Sequence, residues 1–135
     1  MTLKQISFPL LLTIKKKEVF TMRTAYIILN IGNKFIKLSL NKLLYISTVK
    51  KKEHLLCFVT QNETYYCKGS LKDYEKKSYP SLFRCHRSVI VNLQVIKEID
   101  RTKKRIYFTD EKENNCIVSR RKLSELIVQW KFLAL

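Results

Sequence analysis

From Tyr26 onward the apolar residues come in short runs, several with a period of two, broken by polar turns. Tyr26 to Ile31 is apolar but for Asn30, and Lys34 to Leu40 alternates, setting Ile36, Leu38 and Leu40 on one face and Lys37 and Ser39 on the other. The intervening Gly32-Asn33 is a hairpin signal, because both residue types tolerate positive φ. Leu43 to Ser47 and His54 to Thr60 read as a second pair across the cationic loop Thr48 to Glu53, and Thr64 to Lys68 follows the polar turn Gln61-Asn62-Glu63. Connections this short join antiparallel neighbours, since parallel strands need a crossover of about a dozen residues or more.

Two segments break the rhythm. Ser70 to Tyr79 offers a capping serine, Asp73 three positions on, and Leu71, Tyr74 and Ser78 at helical spacing, with Pro80 as the stop. Strand-like runs then return at Val89 to Val91, Val95 to Ile99, Arg105 to Thr109 and Asn115 to Val118. Ser119 to Trp130 carries the stripe Leu123, Leu126, Ile127 and Trp130 and reads as a second helix. The expected fold is a mostly β domain with two short helices.

The chain has 135 residues, enough for one core. Its 27 Lys+Arg against 11 Asp+Glu give a formal charge of +16, and a 46% hydrophobic content means that this charge sits on a folded domain. Such a surplus repels itself and suits a polyanionic partner. The cations cluster at Lys15-Lys16-Lys17, Lys50-Lys51-Lys52, Lys103-Lys104-Arg105 and Arg120-Arg121-Lys122, spread along the chain as if several loops met one extended partner. Residues 1 to 25 read as a basic N-terminal extension and 26 to 135 as the domain.

Several functions drop out. The two glycines form neither a dinucleotide cradle nor a P-loop. The apolar run Ile6 to Ile14 is far short of the roughly 20 residues of a membrane helix, so a cytoplasmic protein with no membrane partner is expected. Cys57, Cys67, Cys85 and Cys116 contain no CxxC pair, and His54 and His86 are the only histidines, so no metal site is expected. The acids are scattered, nothing resembles a nucleophile elbow, and no catalytic residue, cofactor or small-molecule substrate is expected.

Ser81 to Asn92, SLFRCHRSVIVN, followed about thirty residues later by Val118-Ser119-Arg120-Arg121, resembles the second half of a LytTR-type DNA-binding domain. Aligned on Arg84, the family pattern F-x-R-x-H-[RN]-S-[YFV]-[IVL]-V-N is met at Arg84, His86, Arg87, Ser88, Ile90, Val91 and Asn92, with Leu82 at its phenylalanine position and Phe83 beside it, and its V-S-R-[RK] turn is met at Val118 to Arg121. The resemblance spans about Tyr26 to Trp130 and is weaker before residue 80. It implies an elongated, LytTR-like stack of small antiparallel sheets whose loops enter successive major grooves of double-stranded DNA. It also implies a bacterial transcription regulator, paired on direct-repeat promoter sites and, at this length, standing alone without a receiver domain.

Arg87 follows His86 just before a strand, so it should project from a turn. A guanidinium there can bond the O6/N7 edge of guanine, and the matching family position contacts bases. Arg121 matches the second arginine of the V-S-R-R element and is the second base-reading candidate, with Arg120 and Lys122 beside it as phosphate contacts and Ser119 as helix cap. His54, where the family's first groove-entering loop meets its strand, is the third. Lys50, Lys51 and Lys52 suit phosphate, whereas His86 reads as a residue that holds its turn by hydrogen bonding. Cys85 and Cys116 each precede one of the recognition elements and form a candidate redox pair, against the plainer reading of two small buried side chains.

Two other classes compete. An RNA- or ribosome-associated basic β protein would stack bases on Phe58, Tyr65 or Tyr66. A protein-interaction module would set the basic face against an acidic partner.

Overall fold

The computed structural model describes residues 25 to 75 and 79 to 133. The expected extension lies outside them apart from Ala25, as does the Lys15 to Lys17 cluster. Among the described residues ten strands and several 3-10 turns follow one another: β1 (Tyr26–Ile31), β2 (Lys34–Ser39), β3 (Leu43–Val49), β4 (Lys52–Thr60), β5 (Thr64–Lys68), β6 (Leu82–His86), β7 (Val89–Asn92), β8 (Glu98–Asp100), β9 (Arg105–Tyr107) and β10 (Asn115–Ile117). One α-helix among the described residues, α1 (Leu123–Leu133), follows. Every strand pair is antiparallel.

The central sheet has the order β5-β4-β3-β7-β6, with β1-β2 and β10-β9-β8 as smaller sheets. Successive side chains on its strands point to opposite faces, and both faces are apolar. Leu43, Ile46, Leu56, Phe58 and Ile90 pack against Ile27, Leu29, Leu38 and Leu40 of the β1-β2 layer. Leu44, Val59, Phe83, Cys85 and Val91 pack on the other side against Ile106, Phe108, Cys116, Val118 and Leu126. The result is a stack of small sheets with α1 closing the second core. That is why all four residues of β7 are buried, although the run looks like any half-exposed strand.

Asn92 ends β7 completely buried and joins the two halves. Its side-chain amide donates to the carbonyls of Leu40 at 2.8 Å and Leu43 at 2.9 Å, and its oxygen accepts from the Gln94 amide at 3.2 Å. Trp130 pins α1 by donating from Nε1 to the Ile96 carbonyl at 3.2 Å.

Three elements differ from what the sequence suggests. The segment expected as a helix from Ser70 is a 3-10 turn, Leu71–Tyr74, ending on Glu75. Its capping box forms, with the Ser70 hydroxyl accepting from the Lys72 amide and Asp73 accepting from the Ser70 amide, both at 3.3 Å. A cap satisfies only the first turn, however, and Leu71 is the one fully buried anchor, so the chain leaves helical geometry after that turn. Ser78, which carried the helical spacing, lies outside the described residues. Second, Leu82–His86 is a strand, β6, paired with β7. Third, Leu93–Val95 is a 3-10 turn capped by Asn92, and the strand begins only at Glu98. In the first hairpin Gly32 alone takes positive φ, at 62°, while Asn33 does not.

Candidate functional site

β6 and β7 are joined by a turn built from its own side chains. The Ser88 amide donates to His86 Nδ1 at 3.1 Å, and the Ser88 hydroxyl stands 2.9 Å from it. The Thr48 amide donates to the Ser88 carbonyl at 3.0 Å and ties the turn to β3. The pairing slips between Arg84 and His86, a bulge that re-aims the chain just before the exposed Arg87.

The second cationic element is fastened to the first. The Ser119 amide donates to the Cys85 carbonyl at 2.9 Å, two residues before Arg87, and the Val118 amide donates to the Lys104 carbonyl at 3.1 Å. The Ser119 hydroxyl accepts from the Lys122 amide at 3.3 Å and caps the 3-10 turn Arg120–Lys122 that leads into α1. Arg120 and Arg121 are exposed. Lys122 is less free: its Nζ lies 3.8 Å from Glu125 and 5.8 Å from the centre of the Phe83 ring. A recess of about 400 Å³ lies between the two elements, lined by Arg84, His86, Arg87 and Ser119 to Lys122.

The third element is the β3-β4 tip. Val49 pairs with Lys52, but the next pair is Thr48 with Leu56, so Glu53, His54 and Leu55 form a bulge with no partner on β3. Lys51 and His54 both take left-handed backbone, with φ 63° and 60°. The bulge is braced where the Gly69 amide donates to the His54 carbonyl at 2.8 Å. Lys50, Lys51, Lys52 and His54 are exposed. Lys51, Lys52 and His54 border a second recess, about 350 Å³, whose far wall is Ser70 to Lys72 and Arg84.

Arg84 lines both recesses. The fold thus brings Arg87, Arg120 and Arg121 around one hollow and Lys51, Lys52 and His54 around its neighbour, with Lys50 at the hairpin tip beside them. Of the acidic groups near this face, Glu75 is answered by Arg84 and Glu125 by Lys122, while Glu53 stands among the lysines lining the second recess, so cations predominate. Among the described residues no group of three or more His, Cys, Asp or Glu is placed to hold a metal ion, and no helix is long and apolar enough to cross a membrane.

Cys85 and Cys116 are neighbours inside the second core. The Cys85 thiol donates to the Ile117 carbonyl at 3.4 Å. Burial, and then the Cys85 thiol beside it, push the Cys116 thiol well above its ordinary range, so it is neutral at physiological pH.

Arg84 is the site residue that sequence reasoning leaves without a role. The signal is present in the alternation Phe83-Arg84-Cys85, which puts an arginine on the opposite face from two core residues once Leu82–His86 is read as a strand.

A profile of the LytTr DNA-binding domain matches residues 33–131. Among solved structures, the chain is similar to the LytTr DNA-binding domain of a Bacillus cereus protein described as a methyl-accepting/DNA response regulator. The TM-score is 0.58 at 26% identity, over 76% of this chain and 96% of that one. No curated protein matches.

Proposed function

Because the chain belongs to the LytTr DNA-binding domain family, we propose that it regulates transcription by reading a repeated promoter site in double-stranded DNA with three cationic elements in successive major grooves. Arg87 and Arg121 read base edges, each able to make a bidentate bond to guanine, and His54 reads a third position. Lys50, Lys51, Lys52, Arg120 and Lys122 neutralise phosphate, which supplies affinity without sequence preference. Two copies bind side by side on direct repeats, in the cytoplasm, with no cofactor and no catalytic step. Residues 26 to 135 are the DNA-binding unit and residues 1 to 25 a basic extension to it.

The observation that supports this reading most is the convergence of Arg87 and Arg121 on one hollow from segments far apart in sequence, held by the Ser119 to Cys85 backbone bond. Base stacking in the RNA-binding manner has less support: Phe58 is fully buried, Tyr65 is half-buried with its hydroxyl donating to Glu63, and Tyr66 alone of the three is exposed.

The test is selection of bound duplexes from a random pool, followed by titration of variants on a selected and a scrambled duplex. Two spaced copies of one short motif are expected. R87A should lose about tenfold or more on the selected duplex alone. K51Q should weaken both duplexes alike and flatten the log-log salt dependence by about 0.9. Equal losses for R87A on both duplexes would refute the base-reading role.

A further inference from the structure

Arg84 stands on β6 between Phe83 and Cys85, both in the core, so its own side chain is directed away from them, beneath the turn that carries Arg87. There its Nε donates to the His86 carbonyl at 3.0 Å, one terminal nitrogen donates to the Arg87 carbonyl, and the other is paired with the Glu75 carboxylate. A guanidinium is a rigid plane with five donors in a fixed fork, so holding two consecutive carbonyls sets the tilt of two successive peptide planes. Those planes flank the Arg87 Cα and determine where its side chain leaves the backbone. Glu75, just past the 3-10 turn, holds the far end of the fork.

Resting on the reading of Arg87 as a base contact, we infer that Arg84 is a positioning residue for sequence readout: it acts through the Arg87 backbone and makes no phosphate contact of its own. All three of its nitrogens are engaged within the protein, and its charge is answered by Glu75, so little of it remains for DNA although it lines both recesses. The β6 bulge gives the brace its purpose. The bulge falls at Cys85 and the last ladder pair is His86 with Val89, so Arg87 lies in the turn beyond the ladder, where the Arg84 fork gives its carbonyl a donor.

The distinction from a phosphate contact is measurable. The full-length protein and its R84K, R87A, R84K/R87A and E75Q variants are titrated by fluorescence anisotropy with the selected and the scrambled duplex across a salt series. Lysine keeps the charge and loses the fork. R84K should therefore lower the selected-to-scrambled ratio by about tenfold, the scale of one bidentate base contact, with the scrambled affinity and the salt slope unchanged. In the R87A background the same change should cost nothing further, because two residues acting through one contact are not additive. E75Q, which removes the charge that holds one end of the fork without touching the core, should lower the ratio several-fold and carries the comparison if R84K fails to fold. An R84K loss of the same size in the R87A background, or R84K and E75Q ratios equal to that of the unchanged protein, overturns the inference alone. An R87A loss equal on both duplexes overturns the reading of Arg87 and this inference with it.

Discussion

The Ser119 amide donates to the Cys85 carbonyl at 2.9 Å, and this bond fixes the Arg120-Arg121 turn against the strand that leads to Arg87. Neither element could hold its spacing to the other through its own hairpin. Their common frame is the second core, where Cys85, Cys116 and Val118 pack together beneath them.

Ser119 has a second task in the same frame, because its hydroxyl caps the turn into α1. S119A should lower stability by about 1 kcal/mol in chemical denaturation and weaken DNA binding through a loosened Arg121. S119D should restore stability, since aspartate caps as well as serine, yet bind DNA less tightly than the unchanged protein because its carboxylate faces the phosphates. Equal binding by S119D and the unchanged protein would separate the cap from the interface.

How much of this is legible in sequence depends on whether the determinant is local. The alternation of Lys34 to Leu40 states directly that Leu38 and Leu40 are buried, and they are. Arg120 and Arg121 are legible as a cluster, because adjacent cations must leave the core. Leu82–His86 is harder, since a run holding Arg84 and His86 becomes a strand only by pairing with β7, and Arg84 is tolerated there only because carbonyls of the next turn and Glu75 receive it. The helix expected at Ser70 shows the converse: a correct local cap says nothing about whether the later turns find anything to pack on.

Asn92 provides the largest expected loss of stability away from the interface. An N92L side chain of similar size leaves the Leu40 and Leu43 carbonyls and the Gln94 amide without partners. Stranding buried polar groups should cost about 3 kcal/mol. In urea the midpoint should fall with the slope unchanged, as expected when the native fold is kept but weakened.

Cys85 and Cys116 are placed for a redox effect but guarded against a fast one. Peroxide would take two electrons and two thiol protons to form a disulfide and two waters, pulling on the strands that carry both arginine elements. The raised Cys116 thiol is protonated at neutral pH and slow to react. The sign for stability follows from the same shift: the favourable contribution is full below the thiol's ordinary value of 9.0 and is lost as pH rises through the higher folded value. Alkylation of Cys116 at pH 7.5 should accordingly track global unfolding. Prolonged peroxide should weaken DNA binding by the unchanged protein and not by C85S; equal sensitivity of the two would end the redox role.

His54 offers a way to separate backbone from side chain at the third element, the β3-β4 tip. Its φ of 60° lies in the left-handed region, which costs a β-carbon-bearing residue roughly 1–2 kcal/mol. The bulge at Glu53 to Leu55 requires that conformation, because its pairing with β3 resumes only at Leu56 and the Gly69 amide holds the His54 carbonyl. Glycine adopts it without the steric penalty, offset by roughly 0.5–1 kcal/mol of extra freedom in the unfolded chain. H54G should therefore match or slightly exceed the stability of the unchanged protein. If the imidazole reads a base, H54G should still lose affinity for the selected duplex relative to the scrambled one, whereas an imidazole that serves only the backbone would leave both affinities where they were.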